Sequence, residues 1–104
     1  MNQILLLVTT EKNKKAAKKI AKLLLKQKLA SCVSLKDIFS IYEWEGKIEE
    51  VKEAQLTIKS KPELKKTLIA FLQKSSSYEV PQIVYKKFNS EKKYANWVYK
   101  SCSN

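Results

Sequence analysis

The chain contains no histidine, no arginine, a single glycine, two prolines and two cysteines in 104 residues. Without histidine it lacks the side chain that titrates near neutral pH, both the Ser-His and Cys-His nucleophile systems, and the commonest metal ligand. One glycine excludes a P-loop and a dinucleotide-binding fingerprint, each of which needs several. So little Gly and Pro leaves no flexible linker or low-complexity tail, and no repeat of the solenoid kind is present. Cys32 and Cys102 make neither a CxxC pair nor a disulfide framework. No stretch approaches the ~20 apolar residues of a membrane span. The start, Met1 to Val8, has neither the basic leader nor the apolar length of an export signal. The expected location is the cytoplasm, with both thiols reduced, and no membrane partner is expected.

What the chain does have is lysine. Its 21 basic residues are all lysine and face 10 acidic ones, for a net charge of +11. Such a charge raises the question of nucleic acid or an anionic surface. Bidentate recognition of phosphate or guanine is the work of guanidinium, which is absent. The lysines are also spread over helix faces and loops, so no specific nucleic-acid partner is expected. An RRM-like reading would need aromatics within a Gly-containing basic strand motif, which the sequence lacks. The length fits one domain, residues 1–104, and the 44% hydrophobic content suffices for a core.

Residues 3–9 form an apolar run that reads as a buried strand. Ala16, Ala17, Ile20, Ala21, Leu24 and Leu25 then recur at helical spacing, predicting an amphipathic helix over 13–28 with a solvated lysine face. From Ser31 to Trp44 the period becomes two. Val33, Leu35, Phe39 and Ile41 share one face, and Ser34, Ser40, Tyr42 and Trp44 the other, with a bend or bulge expected at Asp37. Glu45-Gly46-Lys47 is the turn of a hairpin, and the return strand spans 48–59 with Ala54, Leu56 and Ile58 inward. Both strands are long for so small a domain, and one helix layer cannot cover them; that points to a partner. Ser60-Lys61-Pro62-Glu63 matches a capping box ahead of a helix carrying Leu64, Leu68, Phe71 and Leu72. Ser75-Ser76-Ser77 ends it, 81–88 is an edge strand, and Tyr94, Trp97, Val98 and Ser101 mark one face of a last helix over 91–102. The order is β-α-β-β-α-β plus a helix, an α+β fold of the ferredoxin-like, split βαβ type.

Five segments resemble the CutA divalent-cation tolerance family, in order and at matching spacing over nearly the whole chain. Leu29 to Val33 is similar to the family's LAACV, Ser40 to Ile48 to SxYxWxGxI, and Glu53 with Leu56 to Ser60 to E…LxIKT. Tyr78 to Pro81 is similar to the end of HPYEVP, and Tyr94 to Trp97 to YxxW. The resemblance implies a non-enzymatic homotrimer of PII-like architecture, packed sheet to sheet, with a link to copper or divalent-cation tolerance. It departs from the family's metal ligands. Ser76 stands where the motif has His, Ser75 where copper-binding members can carry a second His, and Val8 where they can carry Cys. The soft donors left are Cys32, Cys102 and Met1, so no metal site and no resident cofactor are expected, only weak divalent-metal binding. The carboxylates Glu43, Glu45, Glu49 and Glu50 crowd a hairpin tip and read as a solvated turn.

Six polar and aromatic residues within the family-like segments make a candidate ligand site that the resemblance implies: Tyr42, Trp44, Glu53, Lys59, Tyr78 and Glu79. Alternation sets the first four on the hairpin face turned from the helices. They are spread along the hairpin, so the expected site is a cleft assembled between subunits, for a small molecule or a metal ion. The same residues also suit plain interface packing. An effector sensor of the PII kind is the alternative to metal tolerance.

Overall fold

The computed structural model describes residues 2–103; Met1 lies outside them. The chain runs β1 (Gln3–Glu11), α1 (Lys14–Lys26), β2 (Cys32–Trp44), β3 (Lys47–Ser60), a 3-10 turn (Pro62–Leu64), α2 (Lys65–Ser75), β4 (Val84–Asn89) and α3 (Lys92–Ser101). The sheet order is β2-β3-β1-β4, antiparallel throughout. This is the ferredoxin-like α+β fold with an added C-terminal helix.

Helices α1 and α3 begin where a side chain answers free backbone N–H groups, whereas α2 continues from the 3-10 turn with no side-chain cap. The Asn13 carboxamide oxygen accepts from the Ala16 N–H at 2.8 Å. The Glu91 carboxylate accepts from Lys93 and Tyr94 at 2.8 and 2.9 Å, which holds its pKa below the ordinary 4.5. Leu5, Leu7, Leu56 and Ile58 of the sheet meet Ala17, Ile20 and Leu24 of α1 and Leu68 and Leu72 of α2 in one core. Each fully buried large apolar side chain there contributes about 1.5–3 kcal/mol. Helix α3 closes the end where β1 begins and β3 ends. The Tyr99 hydroxyl donates to the Gln3 carbonyl at 2.8 Å, and the Cys102 sulfur lies 3.6 Å from the Ser60 hydroxyl.

Several local expectations need correction. No bulge forms at Asp37: pairing of β2 with β3 is unbroken from Cys32↔Lys59 to Trp44↔Lys47. The aspartate is tolerated because it sits exposed at the rim of the helix layer, with its carboxylate 3.4 Å from the Lys14 ammonium. The capping box does not form. Ser60 ends β3 and donates its hydroxyl to the Leu29 carbonyl at 2.7 Å, and no side chain caps the turn at Pro62. Strand β4 begins at Val84, so Pro81 precedes it, although β4 is an edge strand as expected. On α3 the buried face is Ala95 and Val98, with Cys102 buried just beyond its end; Tyr94 and Trp97 are exposed and lie ring to ring at 5.8 Å. Leu25 of α1 is likewise exposed.

Candidate functional site

The register of the hairpin decides which side chains can meet. β1 pairs with β3 only from Ala54 to Ser60, so Lys47–Glu53 has β2 as its sole neighbour. Pairing of Ile38 with Glu53 and of Tyr42 with Glu49 puts even positions of β2 and odd positions of β3 on the face away from the core. On that face Tyr42, Trp44 and Glu53 come together with Thr10 from β1. The segment after α2, Ser77 to Gln82, folds over them and leaves a cavity of about 510 Å3.

That segment is held by a buried carboxylate. Glu11 follows Leu5, Leu7 and Thr9 on the inward face of β1 and is only 1% exposed. It accepts the Ser77 N–H at 2.9 Å, the Ser77 hydroxyl at 2.6 Å and the Ser76 hydroxyl at 3.3 Å. The Ser76 hydroxyl oxygen in turn accepts the Tyr78 N–H at 3.0 Å. Tyr78 then reaches across the edge of the sheet and donates its hydroxyl to Glu53 Oε2 at 2.6 Å. Burial above all, then the hydrogen bond and charge of Glu53, push the Tyr78 pKa well above the ordinary 10.0. The phenol is therefore a fixed donor at neutral pH. The cavity pairs aromatic walls with polar and acidic groups, the make-up of a small-ligand site.

Five of the six candidate residues, Tyr42, Trp44, Glu53, Tyr78 and Glu79, line this one cavity within a single chain. The expectation that no compact cluster could form without a neighbour is corrected for those five, because the Ser77–Gln82 segment folds back onto the hairpin. Lys59 is not among them. It pairs with Cys32 and Leu6, six residues along β3 from Glu53 and so roughly 20 Å away. Glu11, Thr10 and Ser77 went unread as site residues. The signal for Glu11 was present: alternation from Leu5 carries position 11 inward, and a buried carboxylate needs the hydroxyls that a serine run supplies.

A family model described as CutA1 divalent ion tolerance protein matches residues 5–101. The chain belongs to the CutA1 family. It is 42% identical over 73 residues to Protein CutA of Mus musculus, covering 69% of this chain and 41% of that protein. To the chloroplastic Protein CutA of Arabidopsis thaliana it is 34% identical over 97 residues, covering 91% and 53%. The chain thus spans about half the length of these curated relatives. A solved structure from Archaeoglobus fulgidus, named a periplasmic divalent cation tolerance protein CutA, superimposes with a TM-score of 0.91 at 29% identity, covering 94% of this chain and 97% of that one.

Against the metal link of the CutA1 family stands the donor set of this chain. Ser75 ends α2, Ser76 is bonded to Glu11, and Val8 sits in β1 opposite Thr57 and Val84. Cys32 is half-buried at the start of β2, and Cys102 is buried beside Ser60. Among the described residues no group of three His, Cys, Asp or Glu side chains is arranged to hold a metal ion. Hydroxyls and scattered carboxylates do not fit a tight Cu(II) centre, which favours imidazole. Among the described residues no helix is long and apolar enough to cross a membrane.

Proposed function

We propose that this CutA1-family chain is a non-enzymatic, cytoplasmic homotrimer serving the response to divalent metal ions, copper among them. One observation carries the reading: the outer half of the β2–β3 hairpin holds five exposed large apolar and aromatic side chains. Phe39, Ile41 and Ile48 are exposed on one face and Tyr42 and Trp44 on the other, with Ile48 at 75%. Apolar surface of that extent calls for a second copy, and a closed ring of identical chains satisfies every copy alike. Metal contact in this reading is weak and made through carboxylates.

The cavity favours a second reading, that of a PII-like sensor whose effector binds at the subunit boundary. Lys59 lies outside that cavity and takes no part in this reading. Light scattering at micromolar concentration tests the assembly, and a trimer mass is expected; a monomer mass would sink the reading. Titration with Cu(II) should give weak binding. A tight stoichiometric complex that survives Cys32→Ser would contradict the ligand argument.

A further inference from the structure

The cleft is an acidic place on a basic protein. Glu53 and Glu79 line it and Glu11 lies behind Ser77, yet none of the 21 lysines is in its wall. The one ion pair among the described residues joins Lys14 to Asp37. Glu11 and Glu53 are 1% and 9% exposed, and carboxylates so far from water are ordinarily met by a cation or a full set of donors. Glu11 has its donors in Ser76 and Ser77. Glu53 has one, the Tyr78 hydroxyl on Oε2.

Two atoms are left over. Among the described residues Glu53 Oε1 and the hydroxyl of Thr10, a residue only 4% exposed, take part in no hydrogen bond. No fully enclosed side-chain nitrogen or oxygen there lacks a partner. Both atoms must therefore open onto free volume, and the cavity is the volume that both residues line. Glu53 also borders a second cavity with Lys12, Lys14 and Lys52, but none of these comes within ion-pair distance of it.

We propose that the cleft binds a small organic primary amine as its ammonium ion, which donates to Glu53 Oε1 and the Thr10 hydroxyl while its carbon body lies against Tyr42 and Trp44. An ammonium carries three N–H donors and no acceptor, which matches two waiting acceptors. Aromatic faces attract such a cation. An anion would meet the carboxylates of Glu53 and Glu79, and among the described residues no three His, Cys, Asp or Glu side chains are grouped to hold a metal ion. The proposal rests on the cleft being the working site and names its ligand class.

The test uses the whole protein carrying Trp97→Phe, a position outside the cleft, so that Trp44 is the sole tryptophan reporter. Butylammonium should change its emission saturably. Butyrate, of the same length and opposite charge, should not. Tetramethylammonium, a cation without N–H donors, should bind about tenfold more weakly. Glu53→Gln keeps the acceptor for Tyr78 but removes the charge, and should weaken butylammonium about tenfold. Thr10→Val should weaken it severalfold and serves where Glu53→Gln misfolds. Light scattering on the same samples separates the two readings. A monomer mass overturns the trimer alone. No saturable response to butylammonium at a trimer mass overturns the amine site, and so does an equal response to butyrate or wild-type affinity in both variants.

Discussion

The two halves of the β2–β3 hairpin share one alternation and differ in what they face. In the inner half, Val33 and Leu35 of β2 and Ala54, Leu56 and Ile58 of β3 lie on the helix layer. In the outer half, Phe39 and Ile41 continue the same face of β2 and are exposed. The cause is geometric. The 13 residues of α1 span roughly 20 Å at 1.5 Å each, and the 13 of β2 roughly 43 Å at 3.3 Å each. Strand β1 ends at Glu11, opposite Ala54, so lateral support stops at the same place. Alternation thus specifies a strand and its faces, while burial is decided by the length of what lies alongside. The outer half gives the molecule its 45 Å long axis against 24 and 22 Å for the others.

The sharpest way to break this comparison is to cut one side chain from each half. Leu56 is fully buried, and Leu56→Ala should cost about 2–5 kcal/mol, read as a lower urea midpoint with the oligomer mass unchanged. Ile48→Ser removes an exposed side chain and should instead reduce the mass seen by light scattering. If Ile48→Ser lowered the midpoint as far as Leu56→Ala while the mass stayed the same, the two halves would share one core and the outer half would not be an assembly surface.

The fold was legible because its elements have long, clean periods: one helical face from Ala17 to Leu24, and one two-residue rhythm from Cys32 to Ser60. Local chemistry was harder to read. Ser60 fits a capping box by spacing, but a strand that continues to Ser60 puts its hydroxyl against the Leu29 carbonyl before any helix begins. Tyr94 and Trp97 look like a buried face because they are large, whereas the smaller Ala95 and Val98 allow α3 its close approach. In the site, Tyr42, Trp44 and Glu53 were marked by the family-like motifs and set on one face by alternation. Glu11 did not, because a charged residue at the end of an apolar strand reads as its boundary.

A smaller effect sharpens the link between the inner half and the cleft. Tyr78→Phe removes the hydrogen bond to Glu53 and should cost about 1 kcal/mol, the site being only half-buried. The folded-state pKa of Tyr78 lies above the ordinary 10.0, so the contribution of its protonated form is complete below pH 10. It is lost as the pH rises from there through the folded-state value. The stability gap between wild type and Tyr78→Phe should therefore be constant from neutral pH to about 10 and narrow above it. A gap that already closed between neutral pH and 10 would overturn the raised folded-state value of Tyr78.

The smallest effect belongs to the hairpin tip, farthest from the core. Glu45 and Gly46 have φ of 51° and 80°, the two positive values that a two-residue turn needs to follow the twist of its strands. Glycine adopts that conformation freely, whereas a β-carbon disfavours it. A β-carbon on Gly46 would meet no atom within 4 Å, so Gly46→Ala carries only the conformational cost, about 1 kcal/mol. That cost falls on a segment held by one ladder, so amide exchange should quicken about fivefold from Glu43 to Ile48 and stay unchanged at Leu7 and Ile58. The neighbouring position gives the opposite sign. Glutamate at φ 51° is strained, and Glu45→Asn should slow exchange at the tip, because asparagine visits the left-handed region more readily. Faster exchange in both variants would show that the Glu45 side chain itself holds the turn.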